Sequence, residues 1–495
     1  MTLPDHVFAG GVQRLVARRL ARVPDHWRDL LEVAAVAGRQ LDLSLLRAVN
    51  PDADFDAWVT DCAAAAVLEV HDNALRFTHE KLREGILTTV PQAAKRALHL
   101  RVARALRQVY GESRAAALAH HYDLAGQVDE AVYYAGLAGH AMLEASAYDE
   151  ALAYLERALT LLGSPMDERA RRQAALLKLR AGYAYWGVSQ YDQAESLFHE
   201  SLVLAQQLGD RLDMAEAMKG LGDVARRRGR YHEARTHFEA CLALCRESGD
   251  RAAIAQALAR VAVILRIEGD YAESRRYYLE SLDIFAELGQ TERMATIQSG
   301  LGLIASDLGD YGQAREHMVA SLAIARQVNS PTGTALMLTG LAWIDYLSGN
   351  YADALEHSRE SLAICREVSD RWMIANNLGN LGKIAVQLGD YAAARIYFAE
   401  ALATSTAIGA VPLTLEILPG VASMYQHQDM PERAVSLLGL ALSHPATYSE
   451  VQAQVEPLLT ALHAMLSPEQ VDAALEQGRS LDLAHIVSEI INNDH

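Results

Sequence analysis

Along residues 191–410 the chain holds to one order of apolar and polar positions and repeats it at one interval. Tyrosines mark the interval: Tyr191, Tyr231, Tyr271, Tyr311, Tyr351 and Tyr391 stand 40 residues apart without slippage. Inside each interval apolar residues recur with a period near 3.6, and glycine or a polar pair interrupts them twice, which predicts two helices and two turns. In residues 211–250 the first helix runs through "MAEAMKGLGDVARRRG", the chain turns at Gly229, and the second runs through "YHEARTHFEACLALCRES" to Gly249. One helical hairpin of this size cannot bury its apolar face alone. The pattern therefore predicts hairpins stacked into a superhelix. Two less regular hairpins precede the regular ones, around "ALAHHYDLAGQVDEAVYYAG" and "SAYDEALAYLERALTLL".

Two columns of small residues fit close stacking. Gly222, Ala262, Gly302, Ala342 and Gly382 hold one place in the first helix, and Ala234, Ser274, Ala314, Ala354 and Ala394 hold one in the second. Small side chains let helix axes approach to the near end of the usual range of about 8 to 10 Å.

The two ends break the pattern. The first is helical through "GVQRLVARRLARVPDHWRDLLEVAAVAG", punctuated by Pro24 and Gly38; "AVLEV", "HDN" and "ALRF" then read as a short hairpin. Helices "THEKLREGILTTV" and "PQAAKRALHLRVARALRQV" follow, and helices around a small hairpin predict a winged helix. After residue 410 "VPLTLEILPGVASMYQHQDMPERAVSLLGLAL" still reads as a hairpin, and "SPEQVDAALEQGRSLDLAHIVSEII" as closing helices that cover the last apolar face. The expected organisation is a winged-helix-like domain at 1–110, a superhelix at 111–410 and capping helices at 411–495.

Composition adds three points. With 51% hydrophobic and 22% charged residues in 495, the chain is expected to fold throughout. No apolar run is long enough to span a bilayer and "MTLPDHVFAG" lacks the features of a secretory signal, so the expected location is the cytoplasm, with no membrane partner. Residues 1–110 carry 15 Lys+Arg against 13 Asp+Glu, whereas the remaining 385 carry a net charge of −20. Cys62, Cys241, Cys245 and Cys365 are too few and too scattered for a disulfide framework and read as buried thiols.

The order Leu221-Gly222, Gly229, Tyr231, Ala234, Phe238 resembles the tetratricopeptide repeat, in the longer form of the sensor arms of MalT-like signalling ATPases, over about residues 113–410. "LLEVAAVAGRQLDLSLL", "LRFTHEKLREGIL" with Phe77 and His79, and Arg96, His99 and "RVARAL" resemble the winged helix that follows the nucleotide-binding module in bacterial STAND-class ATPases, over most of residues 10–108. The fold this implies is all-α: a right-handed superhelix, or solenoid, of tetratricopeptide-like hairpins behind a small winged-helix-like domain. The chain departs from that family in having no G-x-x-x-x-G-K-[ST] phosphate loop; "GNLGKIA" has the wrong spacing and no hydroxyl after Lys383. The resemblance implies a nucleotide-binding domain upstream in the native protein.

By the same resemblance the first helices line a concave groove, where the repeats vary while the scaffold stays constant. One station reads Tyr183, Asp223, Val263, Leu303, Trp343, Lys383, and another, three residues on, Trp186, Arg226, Arg266, Ser306, Tyr346, Val386. The candidate partner-binding residues are Tyr183, Trp186, Lys219, Arg226, Arg227, Arg266, Trp343 and Tyr346, and of these Arg226, Arg227, Arg266, Trp343 and Tyr346 are expected to tolerate alanine without loss of stability while changing binding. Aromatic residues and arginines are frequent interface anchors, and arginine pairs with carboxylates or phosphates. The expected partner is an acidic protein or peptide segment, or a small anionic ligand.

No catalytic, metal-binding or cofactor-binding residues are assigned, and the chain is read as no enzyme by itself. His79 is expected to cap a helix, and adjacent His120 and His121 point apart. Arg14, Arg18 and Arg22 line a helix face that could follow phosphates, but a net charge of +2 and an acidic arm argue against nucleic acid. Three readings follow: a ligand- or protein-sensing arm of a signalling protein, a small-molecule-sensing domain of a STAND regulator, and, least favoured, a DNA-binding regulator. Their discriminator is shape: an open groove suits a protein, an enclosed pocket a small ligand.

Overall fold

The repeat sequence folds as its period demands. A computed structural model describes residues 16–71, 74–164 and 167–492. The regular hairpins pair Glu168–Gly187 with Tyr191–Leu208, Arg211–Arg227 with Tyr231–Ser248, Arg251–Ile267 with Tyr271–Glu287, and Thr291–Asp307 with Tyr311–Gln327. Pro331–Leu347 with Tyr351–Glu367 and Arg371–Gln387 with Tyr391–Ala407 continue the series. Aspartate recurs as the capping residue: Asp250, for one, accepts from the Ala253 amide at 3.0 Å, satisfying a donor the helix start leaves open.

Three devices repeat with the hairpins. The first is an aromatic clamp. Phe198 is fully buried between two glycines, one from its own hairpin and one from the next; a Cβ at Gly182 or Gly220 would come within 2.7 or 2.6 Å of its ring. Phe398 sits likewise between Gly382 and Gly420, where a Cβ would approach to 2.5 and 2.8 Å. Gly222 and Gly382 of the first-helix column thus make room for a ring of the second helix, that of Phe238 and of Phe398. The second device is a serine staple. Ser201, Ser281, Ser321 and Ser361 donate to the carbonyls of Ala175, Ala255, Ala295 and Ala335 at 2.9, 2.7, 2.9 and 2.9 Å, tying the second helix of each hairpin to its first. Cys241 holds that place in the hairpin of residues 211–250. The third is the turn. Gly209, Gly249, Gly289 and Gly409 have positive φ, and Asn329 and Ser369 adopt it in the same series.

The chain divides into two compact units, Met1–Ala141 with Ala153–Pro165 and Met142–Leu152 with Met166–His495. In the first, strands β1 (Gln40–Leu41), β2 (Leu68–His71) and β3 (Ala74–Phe77) form an antiparallel sheet in the order β1-β3-β2. The hairpin expected near residues 66–77 is therefore present, with a short third strand that the pattern did not announce. His79 caps helix Glu80–Thr89, accepting from the Lys81 amide at 3.1 Å. His121 is buried and its Nδ1 lies 2.9 Å from His99 Nδ1. Burial pulls the pKa of His121 down to about 3 and that of His99 to about 4, with neighbouring histidines adding to both. The arginine row does not form one helix face: Arg18 lies on a helix that ends at residue 20, Arg22 lies in the turn beyond it, and Arg14 lies outside the described residues. Among the described residues no helix is long and apolar enough to cross a membrane, and all four cysteines are buried.

In the second unit the tail does more than cap. Val411–His427 and Pro431–Ser443 add a hairpin, and Pro468–Arg479 packs on Pro431–Ser443 so closely that Gly478 and Gly439 put backbone against backbone. Helix Ser449–His463, by contrast, returns to the repeats: Ser449 Oγ donates to the carbonyl of Ile267, 182 residues earlier, at 2.8 Å. The tail passes so near the turn at Gly229 that a Cβ there would meet Pro412 at 2.6 Å and Ala446 at 2.9 Å, and its φ of 75° also favours glycine.

Candidate functional site

Several of the variable stations of the first helices, Arg226, Arg266, Leu303 and Trp343 among them, line one cavity together with residues of the tail. Tyr448 lays its ring against Tyr231, centroids 5.7 Å apart, and its hydroxyl donates to Glu416 at 2.7 Å. Glu450 pairs with Arg266 at 3.3 Å, and Lys383 donates to Gln454 at 2.8 Å. What remains between them is a cavity of about 210 Å³, lined by Arg226, Arg227, Arg266, Trp343, Trp372 and Glu416 among others.

Four of the eight expected residues therefore meet: Arg226, Arg227, Arg266 and Trp343. Tyr346 stacks on Trp343, centroids 5.5 Å apart and planes at 17°, and the two line a neighbouring cavity of about 250 Å³ with Lys383 and Pro457. Burial pushes the Tyr346 hydroxyl up to about 12. Trp186 touches the site only through Arg227, whose guanidinium lies 5.2 Å from its ring. Tyr183 and Lys219 stand apart. Tyr183 packs edge-on against Phe198 and donates to the Glu216 carbonyl at 3.3 Å, while Lys219 pairs with the Glu216 carboxylate at 2.6 Å. These two are spoken for by the scaffold.

One expectation needs correction. Arg266 was expected to be an expendable lining residue, but it is bound to Asp307 at 2.7 Å and to Glu450 at 3.3 Å, and its side chain is 11% exposed. Burial opposes its charge, yet Glu450 and Asp307 together outweigh that and hold its pKa above the usual arginine value. Alanine there would leave two acids without their cation, and such a loss is strongly destabilising. Lys383 is similarly enclosed: burial lowers its pKa against Glu416 and Glu450, and its ammonium lies 4.9 Å from the Trp343 ring.

Arg226 and Arg227 differ from these. Arg226 Nε, and Nε and Nη1 of Arg227, are buried and have no hydrogen-bond partner among the described residues. Trp372, which the sequence reading missed, lies flat beneath Arg227 with the guanidinium 3.6 Å from its ring centroid. Asn376 and Asn380, also unforeseen, add amides to the lining. A signal for Trp372 did exist: its station reads Leu212, Ala252, Glu292, Thr332, Trp372 across the repeats, a variable column like the two that were used.

Comparison with known proteins agrees with the fold. Residues 173–247, 213–287, 252–317 and 293–367 match a model of the tetratricopeptide repeat, and residues 375–405 match a second model of the same repeat. An uncharacterized protein of Rhizobium meliloti (strain 1021) is 33% identical over 188 residues, which are 36% of this chain and 18% of the relative's length. Among solved structures, a Rap protein complexed with Competence and Sporulation Factor superposes with a TM-score of 0.52 at 15% identity, over 73% of this chain and 99% of that one. A Signal Transduction ATPase with Numerous Domains protein from Pyrococcus horikoshii, with a tetratricopeptide repeat sensor, gives a TM-score of 0.48 at 14% identity, over 94% of this chain and 68% of that one.

Proposed function

We propose that the repeat unit is the sensing arm of a signalling protein and that it recognises an anionic ligand in the cavity between the repeats and the tail. The observation that carries this is the way the tail narrows the groove to a half-open pocket. Helix Ser449–His463 and Tyr448 stand where an extended partner would lie, and the space left beside Arg226, Arg227 and Trp343 is a pocket of about 210 Å³. Of the two shapes weighed above, a pocket favours the small-molecule reading, or the end of a longer ligand, over a protein laid along the whole groove. The resemblance of residues 10–108 to the winged helix of STAND ATPases supports an upstream nucleotide-binding domain as the module this arm would control.

A second reading has one observation in its favour. The groove already holds Tyr448-Ser449-Glu450 by a ring contact, a backbone hydrogen bond and an ion pair, as it would hold a short acidic peptide. A peptide of that kind would have to displace the tail. The Rap protein of similar fold was captured with Competence and Sporulation Factor, which suits a regulator with a bound effector but identifies none for this chain.

Hydrogen exchange of the purified chain tests both. Incubated with the low-molecular-weight fraction of an extract of its source organism, the helices Arg211–Arg227 and Arg371–Gln387 are expected to gain protection. Protection by the macromolecular fraction alone, with faster exchange in Ser449–His463, would replace the pocket reading with the peptide or protein one. No change with either fraction would remove the sensing function from this groove.

A further inference from the structure

Arg226 and Arg227 are the last two residues of helix Arg211–Arg227, and both line the cavity. Two cations side by side in a partly desolvated place repel each other. Burial pulls the Arg226 pKa down to about 10, and the charge on Arg227 adds to that pull.

The acid nearest Arg226 gives it an ion pair without a hydrogen bond: Asp223 Oδ1 lies 3.9 Å from Arg226 and 3.3 Å from Arg260, and it has no hydrogen-bond partner among the described residues. The other acids nearby are engaged. Asp370 spends Oδ1 on the Met373 amide at 3.0 Å, capping its helix. Glu450 holds Arg266, and Glu416 accepts from Tyr448. Three buried N–H-bearing nitrogens of the pair are left over, and buried donors without acceptors cost free energy that folding alone does not return.

Arg227 is moreover packed between two rings, its guanidinium carbon 3.6 Å from the Trp372 centroid and 5.2 Å from that of Trp186. A carboxylate accepts from two N–H groups of one guanidinium with both oxygens. The lining carries three arginines and two glutamates, and of these arginines Arg266 is taken up by Glu450 and by Asp307 behind it. The rest of the wall, Met318, Leu336, Met337, Trp343 and Leu413, is apolar.

We propose that Arg226 and Arg227 form a carboxylate subsite that seats the acid group of a ligand whose apolar body lies against Trp372 and Trp343. The proposal deepens the sensing function above and rests on it. The carboxylate can come from a free organic acid or from the C-terminus of a peptide with an apolar last residue, and the two sources differ in what trails behind the acid group.

Calorimetry on the full chain, with quenching of tryptophan fluorescence as a second readout, tests the subsite with four probes: 3-phenylpropanoate, 3-phenylpropanamide, and the tripeptide Ala-Leu-Phe with a free or an amidated C-terminus. At least one acid is expected to bind at least tenfold more tightly than its own amide. Preference for phenylpropanoate assigns a free acid, and preference for the tripeptide a chain end. Arg227→Met, and independently Arg226→Met, should each weaken the acid at least tenfold and leave the amide unchanged, with melting at or above the wild-type temperature. Equal binding of acid and amide, or undiminished acid binding by both folded variants, overturns the subsite. So does failure of both acids to bind while the low-molecular-weight extract still protects the cavity helices, a result that leaves the sensing function standing.

Discussion

Arg226 and Arg266 occupy the same station of successive repeats, 40 residues apart, and have opposite surroundings. Arg266 is enclosed by Asp307 and by Glu450 of the tail, which keep it charged. Arg226 shares Asp223 with Arg260, lies beside a second arginine, and has its pKa depressed to about 10 by burial. Repetition supplies the same backbone position and side-chain direction at both. What that position can do is decided by what arrives from elsewhere in the chain: at Arg266 the tail completes a structural ion cluster with Glu450, whereas Arg226 has the shared Asp223 and an Nε with no acceptor among the described residues.

The largest expected effect breaks the contrast at its paired end. Arg266→Met should destabilise the second unit by about 3 to 5 kcal/mol, the usual result of leaving buried acids without their partner; denaturant titration measures it, and a loss within error of zero would mean that the tail is not held by this cluster. Next is the scaffold beneath the two arginines. Ser281→Ala removes the staple under Arg266 and should lower stability by about 1 kcal/mol, the net worth of one hydrogen bond, read as a shift of the denaturation midpoint at constant slope. At the unpaired end the sign reverses. Arg226→Met should raise stability by roughly 1 kcal/mol, because it relieves a buried cation that lacks acceptors while Asp223 keeps Arg260; a drop in melting temperature would show that Arg226 is structural after all. The smallest change equalises the scaffolds. Cys241→Ser restores the missing staple in the Arg226 hairpin and should add about 0.5 kcal/mol if its hydroxyl finds the Ala215 carbonyl, with thermal melts as the check.

The fold was legible to the extent that it is local. Hairpins, turns and small columns follow from apolar spacing and from glycines, all within one 40-residue interval. The serine staple could also have been read, since Ser201, Ser281, Ser321 and Ser361 keep the same register; it escaped notice because serine in a helix carries no apolar signal. The site was half legible. Variation against a constant scaffold pointed to Arg226, Arg266 and Trp343, and nearness to those stations pointed to Arg227, but the same reasoning gave Tyr183 and Lys219 equal weight because it does not say whether a neighbour absorbs the side chain. Tyr448 and Glu450 could not be found at all by that route. They come from the aperiodic tail, and no spacing in the sequence links Glu450 to Arg266, 184 residues before it.

That separation has a kinetic side. The staples close loops of 26 residues, as between Ser281 and Ala255, whereas docking the tail closes one of 184. Loop-closure entropy makes the longer closure costlier by about 2 kcal/mol before any contact rewards it. The repeats are therefore expected to zip from neighbour to neighbour in a fast phase, and the pocket to take shape only in a slower one, when the tail finds Arg266 and Ile267. Trp343 and Trp372 stand on the pocket wall, so their fluorescence should show a second change in the slow phase, after the one that comes with repeat packing. A chain refolding without its tail in place would have most of its helices and none of its recognition.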